Sequence, residues 1–118
     1  MKEFMLLFRN DIKTTQAQPS PDQMQALAKR WQDWIGNIVT QNKFVSSGDR
    51  LDFDGRVVRP QNVVTDGPYV EIKEALAGYM IIKAADYKEA VTIDKGCPIV
   101  QSGGNVEVRK FVGVDGNG

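Results

Sequence analysis

The residues able to do acid–base chemistry cluster in one stretch. Thr65-Asp66-Gly67-Pro68-Tyr69-Val70-Glu71-Ile72-Lys73-Glu74 places three carboxylates, a lysine and an aromatic ring beside a tight turn. Asp66 is the first candidate. As a general acid–base it needs a raised pKa, which partial burial and nearby Glu71 or Glu74 can supply. As a turn residue it accepts backbone N–H groups in an Asx-type loop, which Asp-Gly-Pro favours and which lowers the pKa. The two readings demand opposite shifts, and both stay open at this level. Glu71, Lys73 and Glu74 either bind a polar ligand or form a solvated charged face. In extended backbone Glu71 and Lys73 share a side and Glu74 points away. Tyr69 can line a pocket. Arg109 shares one face of a late alternating stretch with Glu107 and Phe111. It can clamp a substrate carboxylate in a bidentate fork, or pair structurally with Asp66 or Glu71.

The chain of 118 residues has no histidine. Ser-His-Asp and Cys-His catalysis in their usual forms are therefore excluded, as are His-ligated zinc and haem. Acid–base work near neutral pH falls to a perturbed Asp, Glu, Lys, Tyr or Cys. The single cysteine, Cys97, excludes an internal disulfide and reads as buried and inert. Gly103-Gly104 matches neither a phosphate loop nor a dinucleotide fingerprint, and no metal or cofactor is expected. Fifteen basic residues balance fifteen acidic ones, which is not the electrostatic footprint of a nucleic-acid or polybasic membrane binder. The N-terminal apolar run is too short for a signal peptide or a membrane span. The expectation is a cytoplasmic, soluble domain spanning residues 1–113 with a flexible tail at 114–118.

These residues must be positioned by a small set of elements. Phe4 to Phe8 reads as a strand apolar on both faces. Ser20-Pro21-Asp22-Gln23 starts a helix, with Ser20 as N-cap, Pro21 at the first helical position and Gln23 closing a capping box. Met24, Leu27, Ala28, Trp31, Ile35 and Ile38 then recur at helical spacing, widened by Trp34 and Val39, and predict a helix to about Gln41-Asn42. Phe44 to Gly48 reads as a strand. Phe53-Asp54-Gly55-Arg56 carries the Asp-Gly pair of a two-residue hairpin, with Arg56 to Arg59 returning and Pro60 interrupting at a sheet edge. Gly78 to Ala84 is the clearest central strand, again apolar on both faces. Asp86 and Glu89 cap a short second helix that stops at Gly96, with Pro98 to Asn105 as loop. Val106 to Val112 alternates like a last strand.

Strand, helix, strand, hairpin excursion, strand, helix, strand is an α+β order. It is the ferredoxin-like split βαβ pattern: a four-stranded antiparallel sheet with both helices on one face. Two doubly apolar strands would leave the other face exposed in a monomer. A two-fold homodimer with facing sheets resolves this.

Thr65-Asp66-Gly67-Pro68-Tyr69, Glu71, Lys73-Glu74 and Gly78-Tyr79 resemble the DGPF motif of the YCII-related domain family, with Tyr69 where Phe is usual. Asp86 with Glu89-Ala90, Cys97-Pro98 and Val106-Glu107-Val108-Arg109 extend the resemblance over nearly the whole chain, although Lys110 replaces the usual proline. The resemblance implies a dimeric α+β barrel with a pocket near the aspartate motif. It does not imply one activity. Some members lie beside alternative sigma factors, and relatives include a dehydrochlorinase acting on a chlorinated muconate-type acid. A His–Asp mechanism proposed for one branch cannot apply to a chain without histidine.

Three functions follow as expectations. The first is lyase, isomerase or dehydrohalogenase-type chemistry on a small anionic metabolite, with Asp66 moving a proton and Arg109 holding the anion. The second is a non-catalytic metabolite-binding or regulatory module, linked to sigma-factor-associated transcription. The third is a structural dimer with a vestigial pocket.

Overall fold

The computed structural model describes residues 1–10, 20–52, 54–66 and 75–113. In chain order they form β1 (Lys2–Asn10), α1 (Pro21–Thr40), β2 (Phe44–Ser46), β3 (Arg56–Arg59), β4 (Val63–Asp66), β5 (Ala75–Ala84), α2 (Tyr87–Asp94), α3 (Pro98–Gln101) and β6 (Asn105–Lys110). Four strands make an antiparallel sheet in the order β2-β5-β1-β6, and β3 pairs with β4 in a separate two-stranded sheet. The main sheet has the expected split βαβ order, with the hairpin as an excursion between its second and third strands.

The core forms on one face of the main sheet. Phe4, Leu6 and Phe8 of β1 stand opposite Ile82, Met80 and Gly78 of β5, and successive side chains of a strand alternate faces. Phe4, Leu6 and Ile82 are fully buried with Met80, against Trp34 and Ile38 of α1, Ala90 of α2 and Ile99 of α3. The rings meet edge to face: Phe8 lies 5.4 Å from Trp31 and 6.3 Å from Trp34. Such pairs add stabilisation beyond the area they bury. The Trp34 indole N–H donates to the Ile93 carbonyl at 3.0 Å, which satisfies its one polar atom and docks α1 on α2.

Both helix starts form as their sequences require. The Gln23 N–H donates to Ser20 Oγ, and the Gln23 side chain returns the bond to the Ser20 N–H. The Asp86 carboxylate accepts from the Glu89 N–H at 2.9 Å. Glu89 reaches one residue beyond its expected partner and accepts from the Ala85 N–H. Its carboxylate is held below the usual range by that bond and then by Lys43, whose ammonium lies 3.1 Å away.

Three local expectations change. Asp54-Gly55 does not turn the hairpin: β3 and β4 pair in register around Pro60–Asn62. Gln61 and Asn62 take the left-handed conformation there, at φ 66° and 63°. Asp54 instead accepts from the Gly55 N–H and from Arg56, so its side chain is spent on local loop bonds. Phe53 lies outside the described residues. The stretch after Pro98 is not all loop, because Pro98 opens the one-turn helix α3 and drops Ile99 into the core. The long apolar stripe is buried only in part: Trp34 and Ile38 reach the core, while Met24 in the first turn and Val39 in the last are exposed.

Candidate functional site

Asp66 ends β4, and the hairpin of β3 and β4 carries it as an arm. Asp66 stands directly across from Arg56, and its carboxylate lies 3.4 Å from the Arg56 Nε. The same guanidinium binds Asp54 at 2.8 Å, so Arg56 bridges two carboxylates. The Asp66 side chain is 96% exposed. The arm is apolar but unburied: Val58, Val63 and Val64 all face solvent, Val58 at 73%. A two-stranded hairpin is marginal on its own in water. Tyr69, Glu71, Lys73 and Glu74 lie outside the described residues.

Arg109 lies on the sheet face away from the helices. Met5 stands opposite both Ile81 and Arg109, and Leu7 opposite both Tyr79 and Glu107. This face has an apolar middle of Met5, Leu7, Tyr79 and Ile81, all half-buried. A charged cluster flanks it. Glu107 accepts from Arg9 at 3.2 Å and lies 3.3 Å from Arg109. Arg109 is thus paired along its own strand with Glu107. The Tyr79 ring packs on Gly48, whose φ of +60° favours glycine and where an added Cβ would fall 2.7 Å from the ring.

On the helix side, Asp94 closes α2. Its side chain is only 5% exposed, and neither carboxylate oxygen has a hydrogen-bond partner. Burial pushes its carboxyl up to about 7, and the negative end of the α2 dipole also disfavours charge there. Cys97, fully buried just beyond, has its thiol pushed up to about 12 by burial first and by Asp94 as well. A thiol so perturbed is not a nucleophile at neutral pH.

The sequence profile of the YCII-related domain matches residues 4–112. The chain belongs to the YCII-related domain family. No curated protein matches it. Among solved structures, it is similar to a 5-chloro-2-hydroxyhydroquinone dehydrochlorinase from Burkholderia phenoliruptrix AC1100 in complex with 2,5-dihydroxybenzoquinone. The two are 14% identical with a TM-score of 0.40, over 92% of each chain.

In this YCII-related domain Asp66 and Arg109 stand on different sheets, each with an ionic partner of its own. Among the described residues no cluster of His, Cys, Asp or Glu is placed to hold a metal ion, and no helix is long and apolar enough to cross a membrane. Two residues escaped the sequence reading. Glu107 was visible only as a strand neighbour of Arg109; its link to Arg9 depends on β1 lying beside β6. Asp94 did leave a signal. It falls four residues after Ala90, on the helix stripe that meets the core.

Proposed function

We propose that the protein is a homodimer that binds a small anionic metabolite at the seam between two facing sheets, and that Asp66 moves a proton there. The observation that carries this reading is the open sheet face. Its half-buried apolar middle, rimmed by Arg9, Glu107 and Arg109, suits a self-complementary two-fold interface, with charge of both signs around an apolar centre. The exposed valines of the arm favour the same assembly, because a second copy would cover them and enclose Asp66 beside them. Enclosure would take the carboxylate out of water and bring it against a bound substrate.

The chemistry this supports is elimination or isomerisation of the lyase or dehydrohalogenase type. Asp66 takes a proton from carbon. The electron pair of that C–H bond forms a double bond, and the leaving group departs with its own bonding pair. Arg109 contributes by holding a substrate anion once it is drawn away from Glu107. The test has two stages. Sedimentation at micromolar concentration is expected to give a dimer, and Leu7→Glu a monomer. Thermal-shift screening with small carboxylic acids on the dimer is expected to find a stabiliser, whose turnover is then measured for wild type and Asp66→Asn. A monomeric wild type, or full turnover by Asp66→Asn, refutes the reading.

A non-catalytic metabolite-binding or regulatory module is the second reading. The Arg56 ion pair favours it, because that guanidinium already occupies the carboxylate that would have to take the proton. It predicts stabilisation by a ligand without consumption of that ligand, of size RT ln(1 + [L]/Kd).

A further inference from the structure

A second concavity lies on the helix side, opposite the proposed seam. The end of α2, α3 and β6 line an open groove of about 250 Å³. Val91, Val100, Val106 and Val108 make its walls, Asp94 lines it, and Lys95 stands at its exposed rim. An engineered cavity of roughly 150 Å³ already holds benzene, so this pocket has room for one ring with a substituent.

We propose that this pocket binds a compact, mainly apolar alcohol or phenol whose hydroxyl pairs with the Asp94 carboxyl. Three observations converge on it. The walls are valines, which favour an apolar body. Asp94 is 5% exposed, yet both of its buried oxygens lack a partner, and buried polar groups are nearly always hydrogen-bonded. The third is charge: Lys95 at the rim disfavours an amine, and Asp94 disfavours an anion, which leaves a neutral donor. A hydroxyl suits either protonation state of the carboxyl. It donates to the charged form, and it can both donate to and accept from the neutral form. Both oxygens are sealed from solvent, so binding requires the Asp94 side chain to rotate into the pocket it lines. This site uses none of the residues assigned to proton transfer at the seam, and it stands or falls separately.

The probe is p-cresol, with toluene as the same shape lacking the hydroxyl. Methyl NMR of Val91 and Val100, and the carboxyl carbon of Asp94, report on binding. In wild type, p-cresol is expected to shift those methyls and the Asp94 carboxyl carbon saturably at millimolar concentration. Toluene is expected to bind about fivefold more weakly, the usual worth of one hydrogen bond. Asp94→Ala is expected to erase that preference. Val100→Trp, at an exposed wall position, is expected to block both compounds without disturbing the core. Equal binding of p-cresol and toluene, p-cresol binding retained in Val100→Trp, or no saturable shift up to about 10 mM each overturns the proposal.

Discussion

Replacing Asp94 with alanine should make the protein more stable, and by an amount that grows with pH. The carboxyl rises from 3.8 in the unfolded chain to about 7 in the fold. Between those values the folded state keeps a proton that the unfolded chain has released. Unfolding therefore becomes easier with each unit of rising pH. The stability linked to this group is fully present below 3.8 and is gone above about 7. About three units at 1.36 kcal/mol each amount to about 4 kcal/mol, a large part of the whole stability of a small domain. The groups facing Asp94 do not mask the effect. Cys97 stays protonated throughout, its thiol at about 12, Lys95 is common to both proteins, and the lining from α3 and β6, Val100, Asn105, Val106 and Val108, carries no titratable group. Urea unfolding of wild type and Asp94→Ala at pH 4 and pH 8, at one protein concentration, measures the difference. The cost of the small cavity left by alanine enters at both pH values and cancels. Wild type should lose about 4 kcal/mol more than the variant between the two conditions, and at pH 8 the variant should be the more stable protein. Parallel profiles would show that Asp94 is solvated or partnered in the fold, and would refute the reasoning.

Other perturbations test separate links. Ser20→Ala removes one half of the reciprocal cap at the start of α1 and should cost about 1 kcal/mol in chemical denaturation. Gly48→Ala forces a left-handed residue with a Cβ against Tyr79; a loss of about 1–3 kcal/mol is expected, together with a change in tyrosine fluorescence. Glu107→Gln releases Arg9 and Arg109 from a half-exposed cluster. It should cost less than about 1 kcal/mol, and less still at high salt.

How much of this was legible in the chain depended on the range of the interaction. Ser20 and Gln23, or Asp86 and Glu89, act within one helical turn, and their types and spacing state the bond they make. The unbroken apolar runs of β1 and β5, apolar on both faces, marked them as central strands, and their order with the helices gave the sheet. The hairpin was misplaced because Asp-Gly is a strong local turn signal that here spends its carboxylate on Arg56, while the true turn uses Gln61 and Asn62 in a conformation their types only weakly favour. The site was the least legible part. Arg109 meets Glu107, and Glu107 meets Arg9, because strands from opposite ends of the chain lie side by side. The spacing of Asp94 from Ala90 put it on the core-facing stripe of α2, but its lack of a partner depends on α3 and β6, which come later in the chain.

The place of β1 also sets a timetable for synthesis. Its partners are β5 and β6, and the last of these ends at Lys110. Until that strand leaves the ribosome, the emerging polypeptide carries Phe4, Leu6 and Phe8 with an edge of β1 unpaired, a surface that invites wrong pairing. The strong caps of α1 let that helix form early and shelter those rings. Commitment to the native sheet nevertheless waits for nearly the whole chain, and a protein cut short before Asn105 should engage chaperones rather than fold.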